Sequence, residues 1–367
     1  MVYTPIPDID YEDFCTQIQE KTKTQGIPLS GHLELTFRCN LSCVHCCIVN
    51  DPKQNELSFI EITEILDQLV KEGCLWLILT GGEPLVRHDF LDIYSYARKK
   101  GFLITVFSNG TQISPEIADY FQHCPPKMIE ITLNGITAET FEGITQVPGS
   151  FQKCLEGIHL LLDRDLPLTL KTNGMTLNRH EILNIKEFVL GLGKAKFRYD
   201  SLLTPKHDGS KKPCRLRLSP EEIIEIEWTD STMSEQWRDF LLKKNHVPDP
   251  ESLFPCTTRD GSFCITPYGQ LQFCSGLKEP RWNLRQFSFQ EGFQKIISEI
   301  QSITFQTSSA CKTCDIRYLC PQCPARANLE TGRLEAPVDY FCDLAQKRKD
   351  MRDRFLKETD FKNINTG

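Results

Sequence analysis

Three cysteines near the start of the chain have a spacing that suits metal chemistry. Cys39, Cys43 and Cys46 form a C-x3-C-x2-C motif. Three thiolates can hold a four-iron cube and leave one of its irons without a protein ligand, where chemistry can take place. A zinc site that takes its fourth ligand from elsewhere in the chain would use the same residue type. The spacing alone leaves both alternatives open.

A glycine-rich turn follows the next predicted strand. The apolar run 75–79 leads into Thr80-Gly81-Gly82-Glu83-Pro84, whose glycines leave the backbone exposed. An amphipathic helix is predicted between the two motifs, over residues 58–72, with Ser58 and Glu61 as its capping box. Together, and in this order, the cysteine motif and the glycine turn resemble those of the radical S-adenosylmethionine (SAM) enzymes.

The resemblance implies a cofactor and a reaction. Cys39, Cys43 and Cys46 would hold a [4Fe-4S] cluster that binds SAM at its open iron. Reductive cleavage of SAM would give a 5′-deoxyadenosyl radical, with the electron supplied by an external donor of the flavodoxin or ferredoxin type. The protein would contribute orientation and the exclusion of water and oxygen.

The same resemblance implies SAM contacts near the cluster. Gly81, Gly82 and Glu83 would present backbone groups to the methionine ammonium, since glycine permits a close approach. His45 precedes the third cysteine, where the family often has an aromatic residue near the adenine. A solvated loop histidine is the alternative for His45.

Short β-like runs alternate with helical runs along the first part of the chain. The predicted strands cover residues 32–39, 74–80, 103–109, 128–133, 168–172 and 194–202. Six βα-like units predict a parallel sheet, because each return needs a crossover helix. Periodicity allows an open doubly wound sheet or a barrel, and the resemblance implies an α/β partial (β/α)6 TIM-like barrel. In either fold the site lies at the carboxyl ends of the strands.

Polar residues at the ends of the later strands are weaker candidates for SAM contacts. They are Ser108, Asn109, Asn134, Lys171, Asn173 and Arg198. The Asn-Gly pairs at 109–110 and 134–135 equally suit a tight turn. Related enzymes often have Asp-Gly where this chain has Asn134-Gly135, which leaves an acid/base or ribose-binding role there open. Arg198 and Asp200 either face the cavity or form a surface ion pair.

A second cysteine-rich region follows the polar, turn-rich stretch 204–213. Its cysteines are Cys256, Cys264, Cys274, Cys311, Cys314, Cys320, Cys323 and Cys342. The C-x12-G-x4-C and C-x2-C-x5-C-x2-C spacings resemble the SPASM extension, which holds two auxiliary iron-sulfur clusters. The chain has two residues before Cys323 where the usual spacing has three. A zinc ribbon is the competing interpretation for the C-x2-C pairs.

The ligands of the two auxiliary clusters are partly separable. Residues 264–274 predict a β-hairpin that turns at 267–270 and brings Cys264 back beside Cys274. By family analogy, one cluster has the ligands Cys256, Cys264, Cys274 and Cys323, and the other has Cys311, Cys314, Cys320 and Cys342. If Cys264 is only a strand residue, the first of these clusters has an open iron.

Composition limits the remaining possibilities. The 367 residues carry a formal charge of −7, which gives no electrostatic reason to expect nucleic acid. No apolar run is long enough to span a bilayer and no export signal precedes the first strand, so we expect a cytoplasmic protein without membrane contact. In reducing cytosol the 17 cysteines are better explained as cluster ligands than as disulfides.

The domain organisation follows from these motifs. We predict an N-terminal extension (1–30), a radical SAM core (31–205), a linker with a helix (206–255), a SPASM domain (256–345) and a charged C-terminal helix or tail (346–367). We expect the charged helix from Asp343 to Lys357 to be solvated. The roughly 30 residues before the first strand are too few for a winged-helix module that grips a leader peptide. We therefore expect a leader-bearing peptide to need a separate leader-binding protein or the barrel itself.

SPASM extensions accompany radical enzymes that modify peptides or proteins, so the leading functional hypothesis is oxidation or crosslinking of a ribosomally made peptide. Sulfatase-type maturation, epimerisation and excision of a backbone fragment are alternatives among peptide reactions. A small-molecule enzyme that trims a tetrapyrrole side chain could use the same core. A non-catalytic iron-sulfur electron carrier would have no use for the turn at 81–84.

Overall fold

A computed structural model describes residues 16–18, 26–242, 253–254 and 261–364. Six parallel strands lie side by side in chain order. They are β1 (Ser30–Thr36), β2 (Trp76–Gly81), β3 (Leu103–Ser108), β4 (Met128–Thr132), β5 (Leu168–Asn173) and β6 (Lys196–Asp200). The predicted α/β fold of six βα units is confirmed, and the strand ends differ from the predicted ones by a few residues.

Helices connect successive strands, as parallel pairing requires. They are α1 (Phe59–Lys71), α2 (Phe90–Lys99), α3 (Pro115–His123), α4 (Ala138–Thr145), α5 (Ser150–Leu162) and α6 (Ile182–Gly191). The predicted capping box of α1 is present, because Ser58 accepts from the Glu61 backbone and the Glu61 side chain accepts from that of Ser58. Helix α4 was not predicted, since the glycine and threonines of its short sequence favour helix only weakly.

Side chains alternate between two faces of the sheet. One face is apolar and packs with the helices into the main core. Its buried residues include Leu33, Leu35, Leu77, Leu79, Ile104, Val106, Ile129, Ile131, Leu168 and Leu170. The other face, called the polar face below, carries His32, Glu34, Glu130, Lys171 and Arg198. The strand ends and the polar face together define the region where a site can form.

The cysteine-rich region continues the same sheet instead of forming a separate one. Strand β7 (Ser262–Ile265) pairs in parallel with β1, and β8 (Gln270–Cys274) and β9 (Leu277–Asn283) follow as antiparallel strands. The predicted hairpin is present, but Cys264 lies opposite Gln272 and not opposite Cys274. The two cysteines share a face because they are offset by two residues. Helices α9 (Phe289–Ser302) and α10 (Pro324–Thr331) complete this region.

The stretch between the core and the cysteine-rich region contains α7 (Pro220–Thr229) and α8 (Ser231–Leu242), and the last helix is α11 (Asp339–Ile364). The expectation that the C-terminal helix is solvated was wrong for one of its faces. Leu344 is buried against α7, and Arg348 pairs with the buried Glu227 at 2.8 Å. None of the described helices combines the length and apolar sequence that a bilayer crossing requires.

Candidate cluster and cofactor site

The loop after β1 carries the cysteine triad and is held by α4. The backbone N–H groups of Ser42 and Val44 donate to the carbonyls of Thr145 and Ile144, both at 3.0 Å. The acceptors are the last residues of α4, whose final turn leaves carbonyls unpaired. The helix that the sequence did not reveal therefore supports the loop of Cys39, Cys43 and Cys46.

The three thiols lie close enough to influence one another. Burial, followed by repulsion from Cys46 and Cys39, raises the pKa of Cys43 to about 12. The Cys39 sulfur accepts from the Leu41 N–H at 3.4 Å and from Asn109 Nδ2 at 3.8 Å. Thiolates that repel one another in a partly buried loop form a donor set that a cationic cluster would stabilise. The residues present therefore fit an iron-sulfur cluster.

Gly81 and Gly82 let the turn after β2 approach the end of β1. A Cβ on Gly81, which has a φ of 135°, would lie 2.1 Å from the Thr36 carbonyl oxygen, and one on Gly82 would lie 2.3 Å from that of Arg38. The N–H of Gly82 donates to Thr36 at 2.7 Å. Backbone packing at the start of the cysteine loop therefore requires glycine at both positions. The sequence did not reveal this requirement.

The Glu83 side chain is a hydrogen-bond acceptor within the scaffold of the site, a role that the sequence did not suggest. It is fully buried and accepts from the Asn109 N–H at 2.6 Å, from Ser108 Oγ at 3.0 Å and from the Leu85 N–H at 3.1 Å. Burial raises the pKa of this carboxyl to about 7, against the opposing effect of the three hydrogen bonds. The side chain therefore ties the end of β2 to the end of β3.

A chain of amide and hydroxyl groups joins the cysteine loop to the turn after β3. Asn109 Nδ2 donates to Asn40 Oδ1 at 2.9 Å, and Asn40 Nδ2 donates to Thr111 Oγ1 at 2.7 Å. Asn40 and Thr111 were not among the predicted site residues. Asn40 adjoins the first cysteine and Thr111 follows the Asn-Gly pair, but neither position carries a distinctive sequence signal.

His45 is partly buried among polar neighbours, so the alternative of a solvated loop histidine was wrong. Asn134 Nδ2 donates to His45 Nε2 at 3.5 Å. Burial and the nearby Lys171 cation lower the pKa of His45 to about 4, which keeps the ring neutral. With Nε2 as acceptor the proton is on Nδ1, and that buried atom has no hydrogen-bond partner in the described part of the chain. A bound adenosyl group could supply the missing acceptor.

The ends of β4 and β5 are joined through three asparagines. Asn134 Oδ1 accepts from the Asn173 N–H at 2.9 Å. Asn178 Nδ2 donates to the carbonyls of both Asn134 and Asn173, each at 2.9 Å, and Asn178 is fully buried. The sequence predicted the first two residues as candidates but missed Asn178, which lies in a turn of the kind where asparagine is common.

Two ion pairs occupy the polar face near the later strand ends. Arg198 donates to the buried Glu130 at 2.7 and 3.0 Å, and Lys171 lies 3.5 Å from the Asp200 carboxylate. The sequence left open whether Arg198 and Asp200 form an ion pair. Both residues form ion pairs, but with different partners, since Arg198 pairs with Glu130 and Asp200 pairs with Lys171. Their charges are therefore already matched before any ligand binds.

The later cysteines form two neighbourhoods. Cys311, Cys314, Cys320, Cys323 and Cys342 line a cavity of about 320 Å³. Burial and the nearby Cys342, Cys311 and Cys314 raise the pKa of Cys320 to about 11. Cys311, Cys314, Cys320 and Cys342 are the four cysteines predicted to share one auxiliary cluster. Gln322 Nε2 donates to the Cys311 sulfur at 3.5 Å.

The other predicted set is described only in part. Cys264 is buried, interacts with Cys274 and forms a hydrogen bond with Glu34, whose pKa burial raises to about 7. Cys256 lies outside the described residues. Among those that are described, no three His, Cys, Asp or Glu side chains are arranged to hold a single metal ion. The assignment of ligands to both auxiliary clusters therefore remains a prediction.

Comparison with known proteins finds a family match within the core. Residues 33–189 match the family model of the Radical SAM superfamily. The crystal structure of Streptococcus suis SuiB bound to S-adenosylmethionine has the same fold. Its TM-score is 0.66 at 14% identity, over 93% of this chain and 84% of that chain.

Two curated relatives have different products in their names. The AdoMet-dependent heme synthase of Methanosarcina barkeri (strain Fusaro / DSM 804) is 26% identical over 82% of this chain and 92% of that protein. The antilisterial bacteriocin subtilosin biosynthesis protein AlbA of Bacillus subtilis (strain 168) is 30% identical over 68% of this chain and 55% of that protein. This chain is thus similar to relatives that are named for a tetrapyrrole and for a peptide product.

Proposed function

We propose that the chain is a radical SAM enzyme that abstracts hydrogen from a ribosomally made peptide and leaves it crosslinked or otherwise oxidised. The observation that supports this proposal best is the convergence of the cysteine loop, the Gly81-Gly82-Glu83 turn and the Asn109 turn at one end of a parallel sheet. Three thiols and a set of oriented backbone groups meet there, which suits an iron-sulfur cluster with a bound SAM.

When bound, the cluster and SAM supply the 5′-deoxyadenosyl radical. The chain's own residues position these groups. Cys39, Cys43 and Cys46 provide the thiolates, and Glu83 fixes the neighbouring turn through its bond to Asn109. His45 is held neutral, so it can donate from Nδ1 without adding charge to the site.

We further propose two auxiliary [4Fe-4S] clusters, on the cysteine sets given above. Net oxidation of a substrate after hydrogen abstraction leaves one electron to be removed, and a nearby cluster is a suitable acceptor. The first electron would come from an external donor of the flavodoxin or ferredoxin type. Strand β7 pairs directly with β1, so the cysteine-rich region adjoins the strand that leads into the catalytic loop.

The charges on the polar face favour a peptide over a polycarboxylate ligand. The strand-borne cations Lys171 and Arg198 are already matched by Asp200 and Glu130. A carboxylated tetrapyrrole would have to break these pairs or find its cations elsewhere, and an unpaired charge left behind is costly. A peptide backbone needs only hydrogen bonds. The relationship to AlbA over 68% of this chain supports the same choice.

A tetrapyrrole side-chain reaction is the second candidate. It is favoured by one observation, the similarity to a heme synthase over 92% of that protein's length. Such an enzyme would act on a free metabolite and would need no leader peptide.

The deciding experiment is anaerobic reconstitution with iron and sulfide, followed by incubation with SAM and a reductant. One sample receives a leader-bearing precursor peptide, and a parallel sample receives a carboxylated iron porphyrin. Loss of two hydrogens from the peptide would support crosslinking or oxidation, deuterium uptake from heavy water would indicate epimerisation, and a larger loss would indicate excision. Side-chain loss from the porphyrin would replace the peptide proposal, and absence of 5′-deoxyadenosine would overturn both.

A further inference from the structure

Strand β6 has one edge that no other described strand covers. It lies at the end of the nine-stranded order, and within the described residues it pairs only with β5. The Asp200 carbonyl accepts from the Gly174 N–H at 2.8 Å on the β5 side. Because successive residues of a strand direct their backbone groups to opposite sides, those of Phe197 and Tyr199 face the free edge. No described residue forms a hydrogen bond with these four backbone groups.

A groove runs along this free edge. It has a volume of about 810 Å³, and β6 lines one wall while α8 lines the other. The α8 residues Met233, Gln236, Trp237 and Phe240 recur at helical spacing on one face, which is mainly apolar. The volume is within the range of natural ligand sites. The Tyr199 hydroxyl is buried beside the groove and has no hydrogen-bond partner within the described ranges.

Within the part of the chain that the structure describes, the charges that line the groove are matched except for one. Lys186 pairs with Asp230 at 2.5 Å, Arg198 with Glu130, and Glu227 with Arg348. Lys196 is exposed at the start of β6 and has no carboxylate partner among the residues that the structure describes. The charge that an occupant would meet is therefore positive.

We propose that this groove binds an extended peptide segment that contains apolar and acidic residues, by adding a strand to the free edge of β6. Backbone groups of the peptide pair with those of Phe197 and Tyr199, its apolar side chains contact the α8 face, and an acidic side chain pairs with Lys196. Exposed strand edges are templates for such pairing. This inference rests on the proposed peptide substrate and adds the place where that substrate is held.

The location suits a substrate that must reach the cluster. The carboxyl end of β6 lies beside that of β5, where Asp200 is opposite Asn173, and Asn173 is bonded to Asn134. Asn134 in turn contacts His45 of the cysteine loop. A peptide bound along β6 would therefore extend past the ends of β5 and β4 toward the proposed radical site.

The test measures hydrogen exchange of the β6 amides in the full reconstituted chain. The probe is a synthetic peptide of about eight alternating valine and aspartate residues, long enough to form one strand. We expect the peptide to slow exchange at Phe197 and Tyr199 about tenfold or more. The same peptide with N-methylated backbone amides is the matched control and should give no protection. Equal protection by the control, or none by either peptide, would overturn the proposal.

Paired variants test the groove itself. Gln236→Trp fills the groove from an exposed position and should abolish peptide binding in a fluorescence anisotropy assay, whereas Glu235→Trp, one residue away and outside the groove, should not. Lys196→Glu should weaken binding about tenfold, while Lys99→Glu on α2 should leave it unchanged. Slow exchange of Phe197 and Tyr199 in the free protein would show that another part of this chain covers the edge, which would also overturn the proposal.

The outcome separates this inference from the proposed function. Peptide binding at β6 without 5′-deoxyadenosine formation would contradict the enzyme proposal alone. SAM cleavage and peptide modification that persist unchanged in Gln236→Trp would contradict the groove alone.

Discussion

The Glu83 carboxylate accepts the backbone N–H of Asn109 at 2.6 Å and thereby joins the turn after β2 to the end of β3. The same Asn109 contacts Asn40 through its side chain, and Asn40 directly follows the first cysteine of the triad. Three successive strand ends are thus connected through two residues. The glycine turn is consequently part of the scaffold of the cysteine loop, in addition to any contact that it makes with a cofactor.

Glu83→Ala should weaken both the fold and cofactor binding. It leaves three donors without their acceptor, and a buried unsatisfied donor costs about 1–3 kcal/mol. We expect a loss of unfolding free energy of at least that size in urea titration, and SAM affinity about tenfold lower by calorimetry on reconstituted protein. Glu64→Ala, which removes an exposed glutamate from α1, is the control. Unchanged SAM affinity in a correctly folded Glu83→Ala would contradict the scaffold role.

Gly82→Ala should destabilise the protein, because its Cβ would lie 2.3 Å from the Arg38 carbonyl oxygen and the backbone must move. Overpacking of this kind costs about 1–3 kcal/mol, or more where backbone is involved. Gly143→Ala in α4 is the matched control. Its Cβ meets nothing within 4 Å, so it should stabilise the helix by about 0.5–1 kcal/mol. Thermal unfolding of the three proteins gives the comparison, and equal melting temperatures would refute the packing argument.

The outline of the fold was predictable because strand and helix periodicity is a local property. The six parallel strands and the cap at Ser58 follow from neighbouring residues. The parallel pairing of β7 with β1 was not predictable, because it joins residues that are far apart in the chain. Asn178 escaped notice partly for the same reason, since one of the two carbonyls to which it donates belongs to Asn134, 44 residues earlier in the chain.

The candidate site was predictable to the extent that its residues belong to motifs. The cysteines and the glycine turn have a recognisable spacing, whereas Asn40 and Thr111 owe their place to a hydrogen-bond chain that exists only after folding. The sequence suggested Arg198 as a SAM contact. It cannot reveal that Glu130, on β4, pairs with Arg198 and balances its charge. Pairing of charges across strands is decided by register, which sequence alone does not fix.

Asn178→Asp should separate the ends of β4 and β5. The aspartate keeps the acceptor for the Met175 N–H but loses the two donations to the Asn134 and Asn173 carbonyls, and it places a charge in a buried position. We expect a loss of about 2–4 kcal/mol of unfolding free energy, from unmade hydrogen bonds and charge burial. Asn184→Asp on α6 serves as a control outside this network. An Asn178→Asp protein as stable as the control would show that the asparagine network is dispensable.

Each variant of a proposed ligand cysteine should lose the iron of one cluster and keep the iron of the others. Cys43→Ala should lose the iron of the proposed catalytic cluster and all SAM cleavage, yet retain the auxiliary iron. Cys342→Ser should lose the iron of one auxiliary cluster, because it removes a thiol from the set around Cys320. Cys214→Ser, which lies outside the triad and outside both auxiliary sets, should keep the full iron content. Iron and sulfide assays with Mössbauer spectra measure these differences. Retention of all iron in Cys342→Ser would remove Cys342 from the proposed ligands.

Cys264→Ala tests whether the first auxiliary cluster has a fourth protein ligand. The Cys264 thiol forms a hydrogen bond with Glu34. It therefore either coordinates iron in the assembled cluster or has that hydrogen bond as its only role. As a ligand, its loss should change the spectrum and iron content of one cluster. An unchanged cluster would exclude Cys264 as a ligand and leave one iron open.

Arg285 connects the hairpin of the cysteine-rich region to the helix that follows the cysteine loop. It pairs with Glu61 at 2.6 Å and donates to the carbonyls of Tyr268, Asn55 and Glu56. The Arg285 hydrogen bond lowers the pKa of Glu61 from 4.5 to about 2. A carboxyl whose pKa is depressed on folding contributes stability above its unfolded pKa, and this contribution is lost as the pH falls through the folded pKa.

Arg285→Ala should therefore destabilise the protein in a pH-dependent way. We expect a loss of about 1–2 kcal/mol at neutral pH, because the ion pair and most of the carbonyl hydrogen bonds are exposed to solvent, which weakens each of them. The difference from the unmodified protein should be constant between about pH 7 and 5 and should shrink as the pH falls below about 4.5, where Glu61 is already protonated in the unfolded chain. Urea unfolding at several pH values measures it. Arg281→Ala, which breaks only the exposed pair with Glu279, should have little effect at any pH. A difference for Arg285→Ala that does not narrow in acid would mean that its carbonyl bonds, and not Glu61, hold the two regions together.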